Sequence, residues 1–229
     1  MLTVVTFLWK RNHRGYQLPA VCNYTANHVN IFERMLSRHL SIPYELVCIT
    51  DMPDGVNCRT IKLWNKCKEL GGCYNRLYVF SQNMRELLGP RFACVDLDCV
   101  ITGNVNHIFS RQEPFIINRY IENAKNRQKY NGSFFMMDAG VHDDVWSTFD
   151  FQHSATLMAE MAIRGEVVGS DQAWISHKIK NAVTVGIEDG IYNARQIGNH
   201  LPRNAAIVFF PGPRDPTQNE HHWIGPHYQ

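Results

Sequence analysis

The chain has 229 residues, of which 45% are hydrophobic and 19% charged, and its net charge at pH 7 is +2. This length and composition predict one globular domain with its own core, and the small charge argues against nucleic acid as a partner. No apolar stretch approaches the roughly 20 residues of a membrane-spanning helix, and no charged segment precedes an apolar run at the start, so no secretory signal is expected. The seven cysteines are therefore expected to be reduced thiols in a cytoplasmic protein.

The first half of the sequence predicts strands that alternate with helices. Leu2–Leu8 is a β-branched apolar run typical of a strand, and apolar residues recur at helical spacing over residues 24–40. A second strand is predicted at Tyr44–Thr50, before a turn. The remaining predictions here are a strand at 60–63, a helix at 77–88 closed by a Gly-Pro pair, and a strand at 92–95. This alternation predicts an α/β fold with a mostly parallel sheet flanked by helices.

The second half is less regular. Strands are predicted at 114–118, 133–138 and 206–210. Ser154 is the expected N-cap of a helix that ends at Gly165, and a further helix is predicted at 171–180. No repeat, low-complexity tract or linker interrupts the chain, so residues 1–229 are expected to form a single domain.

Asp96 and Asp98 directly follow the strand predicted at 92–95. Residues two apart in an extended chain point to the same side, and ligands of parallel sheets bind beyond the carboxyl ends of the strands. Two carboxylates in this position repel each other unless a cation joins them. Oxygen ligands with open positions suit Mg²⁺ or Mn²⁺, which also bind phosphate oxygens. The pair therefore predicts a divalent-metal site for a phosphate-containing ligand.

The same pair of aspartates fits a second class of enzyme. Phosphatases of the haloacid dehalogenase type end a hydrophobic strand with D-x-D-x-[TV], which Val100 would complete, and use the first aspartate as nucleophile. That motif usually opens its domain, whereas strands and helices precede it here. Only Lys178 or Lys180 and the acidic pair at 188–189 are loose candidates for the other phosphatase residues. This function stays open as an alternative.

The whole chain resembles a known family in the order of its motifs. The motifs are residues 5–10 (VTFLWK), 24–51, 72–80 (GCYNRLYVF), 96–105 (DLDCVITGNV), 131–138 (NGSFFMMD), 169–175 (GSDQAWI) and 211–216 (PGPRDP). In this order they resemble the GT-A-fold glycosyltransferases, especially the family 8-like group that uses UDP-sugars and its compact bacterial and viral relatives. The resemblance implies a GT-A-like, Rossmann-like domain with a nucleotide-binding half (1–103) and an acceptor half with a C-terminal lid (104–229).

The resemblance also implies an activity. A member of this group would transfer a hexose from a UDP-sugar, UDP-glucose or UDP-galactose, to an acceptor hydroxyl with retention at the anomeric carbon. Mn²⁺ or Mg²⁺ would be its cofactor, and its location would be the cytoplasm of a bacterium or of a virus-infected host cell. The acceptor is not identified. The resemblance implies that the acceptor attacks from the face of the leaving phosphate. The sequence offers no obvious carboxylate nucleophile, so a covalent intermediate is not expected.

Candidate site residues follow from this resemblance. Asp96 and Asp98 would bind the metal, and the residues expected to bind the donor are Thr6, Trp9, Arg76, Asp96, Asn131, Gly212 and Arg214. Trp9 would stack on the base, and Arg76 would pair the diphosphate bidentately. The ordinary alternatives are a core tryptophan and an ion-paired arginine. Arg195 and His200 are further candidates for phosphate binding.

The catalytic candidates are Asp171, Gln172 and Asp138. Asp171 would bind hydroxyls of the donor sugar, and Gln172 would face the anomeric carbon. Asp171 or Asp138 would also serve as the base for the acceptor. Because Asp171 begins a predicted helix, it could instead act only as a helix cap.

Two departures from the family pattern concern the metal and the sugar. The family usually supplies a late histidine as third metal ligand, where this chain has Phe209, Phe210 and Pro211. Water, His221 or His222 would have to replace it. Many relatives also carry a second aspartate where this chain has Ala173. A decayed transferase that binds a nucleotide sugar without turnover is therefore a non-enzymatic alternative.

Overall fold

The computed structural model of the chain describes residues 1–10, 24–65, 73–120, 128–212, 216–218 and 221–229. Its strands, numbered β1 to β10 in chain order, are Leu2–Leu8, Tyr44–Thr50, Arg59–Lys62, Arg91–Val95, Cys99–Ile101, Phe115–Arg119, Tyr130–Asp138, Val183–Val185, Ile191–Asn193 and Ile207–Phe209. Its α-helices, numbered α1 to α7, are Ala26–His39, Met84–Leu88, Asn106–Phe109, Asp144–Ser147, Phe151–Ile163, Asp171–Lys178 and Ile224–His227. Short 3-10 helices lie at Tyr74–Phe80, Ile187–Asp189 and Pro216–Gln218. Arg214 lies outside the described residues.

The larger sheet has seven strands in the order β3-β2-β1-β4-β7-β6-β8. All neighbouring strands are parallel except those on either side of β7, which runs antiparallel to both β4 and β6. The predicted mostly parallel α/β sheet is therefore confirmed. The carboxyl ends of β1 to β4 and the amino end of β7 meet at one edge, where ligands of such sheets bind.

Two hydrophobic clusters cover the two faces of this sheet. Alternate residues of one strand divide between them, as Val4 and Val5 do in β1, because successive side chains point to opposite faces. One cluster contains α1 and the smaller sheet. The other contains the 3-10 helix Tyr74–Phe80 and α6. Burial on both faces explains why the strands are continuous apolar runs rather than alternating ones.

The smaller sheet, in the order β5-β10-β9, was not predicted as a unit. β10 runs antiparallel to β5 and parallel to β9. Its strands have three residues each, which is too short for a clear periodicity, and only the strand predicted at 206–210 was recognised. This sheet begins directly after Asp98 and therefore positions the second half of the chain against the aspartate pair.

Two helix predictions were wrong in their details. The helix predicted at 77–88 is a 3-10 helix at Tyr74–Phe80 followed by α2, with the break at Ser81. Tertiary contacts of the first segment, described below, override its helical periodicity. The N-cap of α5 is Asp150 rather than Ser154, because the Asp150 carboxylate accepts a hydrogen bond from the His153 amide at 2.8 Å. Ser154 lies in the first turn, where its hydroxyl accepts from the Asp150 amide.

The end of the chain packs against α1. Trp223 and Ile224 are buried, and the Trp223 ring lies 6.1 Å from that of Phe210. The guanidinium of Arg38 donates to the carbonyl oxygens of His227 and Gln229. None of the helices in the described ranges is long and apolar enough to cross a membrane.

Candidate active site

Asp96 and Asp98 lie where the two sheets meet. The Asp96 amide donates to the Ser133 carbonyl of β7 at 2.9 Å, which extends the pairing of β4 with β7 beyond Val95. The Asp98 carbonyl accepts from the Phe210 amide at 2.7 Å, which extends the pairing of β5 with β10. Backbone hydrogen bonds on both sides therefore hold the aspartate pair at the edge predicted to bind ligands.

Arg76 connects this pair to α6. One terminal nitrogen, Nη1, donates to the Asp96 carboxylate and, at 3.0 Å, to the Gly132 carbonyl. The other, Nη2, forms an ion pair with Asp171 Oδ2 at 2.6 Å, and the side chain is only 7% exposed. Burial by itself would lower the pKa of the guanidinium, but the carboxylates of Asp171 and Asp96 raise this pKa well above its usual value. Arg76 is thus a permanently charged centre that joins three distant segments.

Gly132 in β7 leaves room for this ion-pair cluster. A Cβ atom added there would lie 3.0 Å from Asp171 Oδ2 and 3.2 Å from Arg76 Nη2. Gly132 was not among the predicted site residues, although an isolated glycine inside a strand often marks a close approach of this kind. Its missing side chain lets the carboxylate and the guanidinium pass over the strand.

Gln172 lies next to the same glycine. Its side-chain amide donates to the Val168 carbonyl at 2.9 Å, and its oxygen lies 3.4 Å from the Gly132 amide nitrogen. Gly169 has a φ of +87°, and a Cβ there would be 2.8 Å from Gln172 Nε2. The turn before α6 therefore needs a glycine to place this amide beside β7.

A further contact joins the start of α6 to the 3-10 helix that carries Arg76. The Ser170 hydroxyl accepts from the Cys73 amide at 3.0 Å. Burial raises the pKa of the neighbouring Tyr74 to about 12, and the charge of Asp171 adds to this effect. Ser170 was missed because a serine before a helix is ordinarily only a cap.

Arg195 and Gly212 come together beyond the ends of β9 and β10. The Arg195 amide donates to Asn193 Oδ1 at 2.9 Å, and Gly212 has a φ of +83°. A Cβ added to Gly212 would lie 3.4 Å from Arg195 Nη2. Since Phe210 pairs with Asp98, this loop lies beside the aspartates.

The other residues predicted to bind the sugar donor lie at the same edge of the larger sheet, and their side chains differ in exposure to solvent. Thr6 is fully buried, and its hydroxyl donates to the Val95 carbonyl at 2.9 Å, so this side chain ties β1 to β4. Trp9, just beyond β1, is half-buried, and its ring meets that of Phe7 edge-on at 5.6 Å. Asn131 Oδ1 accepts from the Ser133 amide at 2.8 Å. Their contacts with a donor stay predictions.

Asp138 does not join the other catalytic candidates. In the antiparallel pairing of β7 with β4, Asp138 is opposite Arg91, whereas Phe134 is opposite Val95. Asp138 therefore lies at the other end of the strand from Asp96, five residues from Ser133 or about 17 Å by the rise per residue. Its carboxylate forms an ion pair with Arg91 at 2.5 Å. The grouping of Asp138 with Asp171 and Gln172 is corrected accordingly.

The tail histidines lie beyond β10. The ring of His221 stacks on Trp223 at 5.7 Å, and the rings of His222 and His200 are 6.4 Å apart. Within the described segments, no group of three His, Cys, Asp or Glu side chains is placed to hold a metal ion. A role of either tail histidine as third metal ligand stays a prediction, as does the lid.

The aspartate pair nevertheless fits a hard divalent cation. Mg²⁺ is usually held by one or two carboxylates together with water and phosphate oxygens, so two aspartates are a sufficient protein share. The neighbouring thiol of Cys99 is fully buried in the hydrophobic core. Burial raises the pKa of Cys99 well above its usual value, and the charges of Asp98 and Asp96 raise it further. Cys94 on the other side is also buried, with a raised pKa, as expected for a small core residue.

Comparisons with known proteins identify the fold. No protein-family model and no curated protein sequence match the chain. A crystal structure of the galactosyltransferase LgtC with donor and acceptor sugar analogs matches at a TM-score of 0.60 and 8% identity, over 100% of this chain and 97% of that one. An active-site mutant of LgtC, in which a glutamine is changed to glutamate, matches at 0.62 and 9% identity with the same coverage. The chain therefore has the GT-A-like fold of the LgtC glycosyltransferase.

Proposed function

We propose that this chain is a metal-dependent glycosyltransferase that transfers a hexose from UDP-glucose or UDP-galactose to an acceptor hydroxyl. The observation that carries the proposal is the grouping of Asp96 and Asp98 with Arg76, Asp171 and Gln172 at the ligand-binding edge of a glycosyltransferase fold. The acceptor stays unidentified. In this reading residues 1–103 bind the nucleotide, and residues 104–229 supply the acceptor side and the lid.

Asp96 and Asp98 would hold Mn²⁺ or Mg²⁺. A bound divalent ion neutralises charge that develops on a departing diphosphate. Trp9, Asn131, Gly212 and Arg214 would contact the donor around this point. The half-buried ring of Trp9 supports base stacking, whereas the buried hydroxyl of Thr6 leaves it a role in holding β1 to β4.

Asp171 and Gln172 would bind the sugar end of the donor. The ion pair with Arg76 fixes the position of the Asp171 carboxylate beside β7, which suits a role in binding sugar hydroxyls. The amide of Gln172 is held between Val168 and Gly132. The LgtC mutant mentioned above shows that the active site of that enzyme also contains a glutamine.

The carboxylates of Asp96 and Asp171 both pair with Arg76, which makes them poor nucleophiles because the cation stabilises their negative charge. We therefore propose transfer with retention by attack on the face that the diphosphate leaves, without a covalent sugar intermediate. The same pairing disfavours the phosphatase alternative, in which Asp96 would be the nucleophile. Lys178, a candidate for its lysine, is instead 3.5 Å from Asp144.

The test is release of UDP from UDP-glucose and UDP-galactose with Mn²⁺, in parallel with phosphate release from p-nitrophenyl phosphate. Asp98→Asn is expected to lower UDP release by about a hundredfold or more, because the metal would lose a carboxylate. Asp54→Asn, which changes an exposed turn, is the matched control and is expected to behave as wild type. EDTA should have the effect of Asp98→Asn.

Two results would contradict this proposal. UDP release that is insensitive to both EDTA and Asp98→Asn would exclude the metal-dependent reaction. Tight Mn²⁺-dependent binding of the UDP-sugar with no UDP release, with or without a panel of acceptors, would indicate the decayed transferase instead.

A further inference from the structure

Arg76, which was predicted to bind the diphosphate, already has charged partners within the protein. Its two terminal nitrogens face the carboxylates of Asp96 and Asp171, and its side chain is 7% exposed. A phosphate oxygen that took the place of either carboxylate would break an ion pair, and at Asp171 this is costly because a buried carboxylate would be left uncompensated. A nucleoside diphosphate at Asp96 and Asp98 needs a second positive charge from elsewhere in the chain.

The smaller sheet places Arg195 on the side of the aspartate pair. β9 and β10 are parallel and in register, with Asn193 opposite Phe209, so the residues after both strands lie at the same edge. β10 is antiparallel to β5, and its pairing continues to Asp98 through the Phe210 amide. The segment that begins at Pro211 therefore continues beside the aspartate pair, and the segment that begins at Ala194 lies next to it, one strand further from Asp98.

The backbone at Arg195 is rigid while its side chain is open. Asn193 holds the turn, because its side-chain oxygen accepts from the Arg195 amide and its carbonyl accepts from the Gln196 amide at 2.8 Å. Gln196 Oε1 in turn accepts from the Asn193 amide at 2.9 Å. Arg195 itself is exposed, and across the described ranges no carboxylate lies within ion-pair distance of its guanidinium. A fixed backbone with an uncompensated cation is suited to anion binding.

Gly212 gives this guanidinium its position. A Cβ atom on Gly212 would be only 3.4 Å from Arg195 Nη2, and the φ of +83° disfavours any other residue. The guanidinium therefore lies against bare backbone of the loop that follows β10. A ligand can approach both the arginine and the loop without meeting a side chain at position 212.

We propose that Arg195 binds the diphosphate of the nucleotide donor, while Arg76 positions Asp96 and Asp171 without touching phosphate. This inference rests on the proposed function, because it requires a nucleoside diphosphate at the aspartates. A guanidinium can bind phosphate oxygens bidentately and stays charged at every physiological pH. Arg195 would thus stabilise the charge of the leaving UDP from the side of the smaller sheet.

The test is calorimetric titration of UDP in the presence of Mn²⁺, with uridine binding followed by ligand-observed NMR. Arg195→Gln is expected to weaken UDP binding about ten- to a hundredfold, the range of a charge-assisted hydrogen bond, and to leave uridine binding unchanged. Arg195→Lys should recover part of the affinity because it restores the charge. Arg203→Gln, a change of another exposed arginine between β9 and β10, is the matched control and should bind UDP as wild type does.

The outcomes separate this inference from the proposed function. If wild type binds no UDP with Mn²⁺, the proposed function and the inference both fail. If wild type binds UDP and Arg195→Gln binds it equally well, only the assignment of Arg195 is overturned. Equal losses for UDP and uridine would also overturn it, because they would indicate a change of structure rather than loss of a phosphate contact.

Discussion

The two arginines at the candidate site are held in opposite ways. Arg76 is buried beside the larger sheet between two carboxylates and a carbonyl, and these groups of the protein compensate its charge. Arg195 is exposed beside Gly212 at the end of the smaller sheet. A buried ion-pair cluster builds a rigid site because breaking it leaves an unpaired charge, whereas an exposed cation keeps its charge for a ligand. The position of an arginine near a motif therefore does not reveal which task it performs.

The largest expected effect is on the buried cluster. Arg76→Met removes the cation and leaves two carboxylates facing each other, so we expect the free energy of unfolding to fall by about 3–5 kcal/mol. Urea denaturation followed by circular dichroism measures this. Arg195→Gln is the control and should change stability by less than about 0.5 kcal/mol, as surface substitutions usually do. Equal, small changes for both variants would refute the contrast between the two arginines.

The second prediction concerns the acidic residues that sequence analysis grouped together. Asp171→Asn should lower UDP release about a hundredfold, because the ion pair that places it beside β7 is lost. Asp138→Asn should stay within about twofold of wild type, since its carboxylate pairs with Arg91 at the opposite end of the sheet and that pair contributes little. Steady-state assays of UDP release by both variants show whether Asp138 belongs with Asp171 among the catalytic residues. A strong loss for Asp138→Asn would restore it to the catalytic set.

The third prediction tests the fit at Gly132. Gly132→Ala places a methyl group within 3.2 Å of both Asp171 and Arg76, and we expect a loss of about 1–3 kcal/mol in unfolding free energy. Gly198→Ala is the matched control, because nothing lies within 4 Å of a Cβ at that position. Thermal and urea unfolding of the two glycine variants measures the difference in unfolding free energy. A Gly132→Ala protein as stable as the control would mean that the cluster can move aside at no cost.

The smallest effect is a pH dependence that arises outside the cluster. Burial lowers the pKa of His177, in the last turn of α6, with Lys180 and Lys178 contributing, and burial together with Arg38 lowers the pKa of His227. The unfolded chain therefore takes up these protons first, so stability should decline as pH falls through about 6.5. Unfolding midpoints at pH 7.5 and 5.5 measure the decline.

The histidine variants test the cause of this decline. The double variant His177→Gln, His227→Gln should lower the slope between pH 7.5 and 5.5 without abolishing it, because burial also lowers the pKa of His39 and of His142. An unchanged slope would show that neither histidine causes the decline.

Much of the site could be predicted because it depends on local patterns. The apolar run before Asp96 identifies the strand, and the spacing of the two aspartates places both carboxylates at its end. The turn before α6 likewise identified Asp171 and Gln172. What failed were contacts between distant segments. Asp138 looked equivalent to Asp171 until the antiparallel direction of β7 separated them, and Ser170 and Gly132 carry no signal except through partners far along the chain.

By itself the sequence determined the order of strands and helices, the mostly parallel sheet and the location of the aspartate pair, since hydrophobic periodicity and strand ends are local properties. Only the tertiary structure decided what each charge does. The pairing of an arginine depends on which carboxylates the folded chain brings within about 4 Å, and that distance has no counterpart in sequence separation. Arg76 and Arg195 differ for this reason alone.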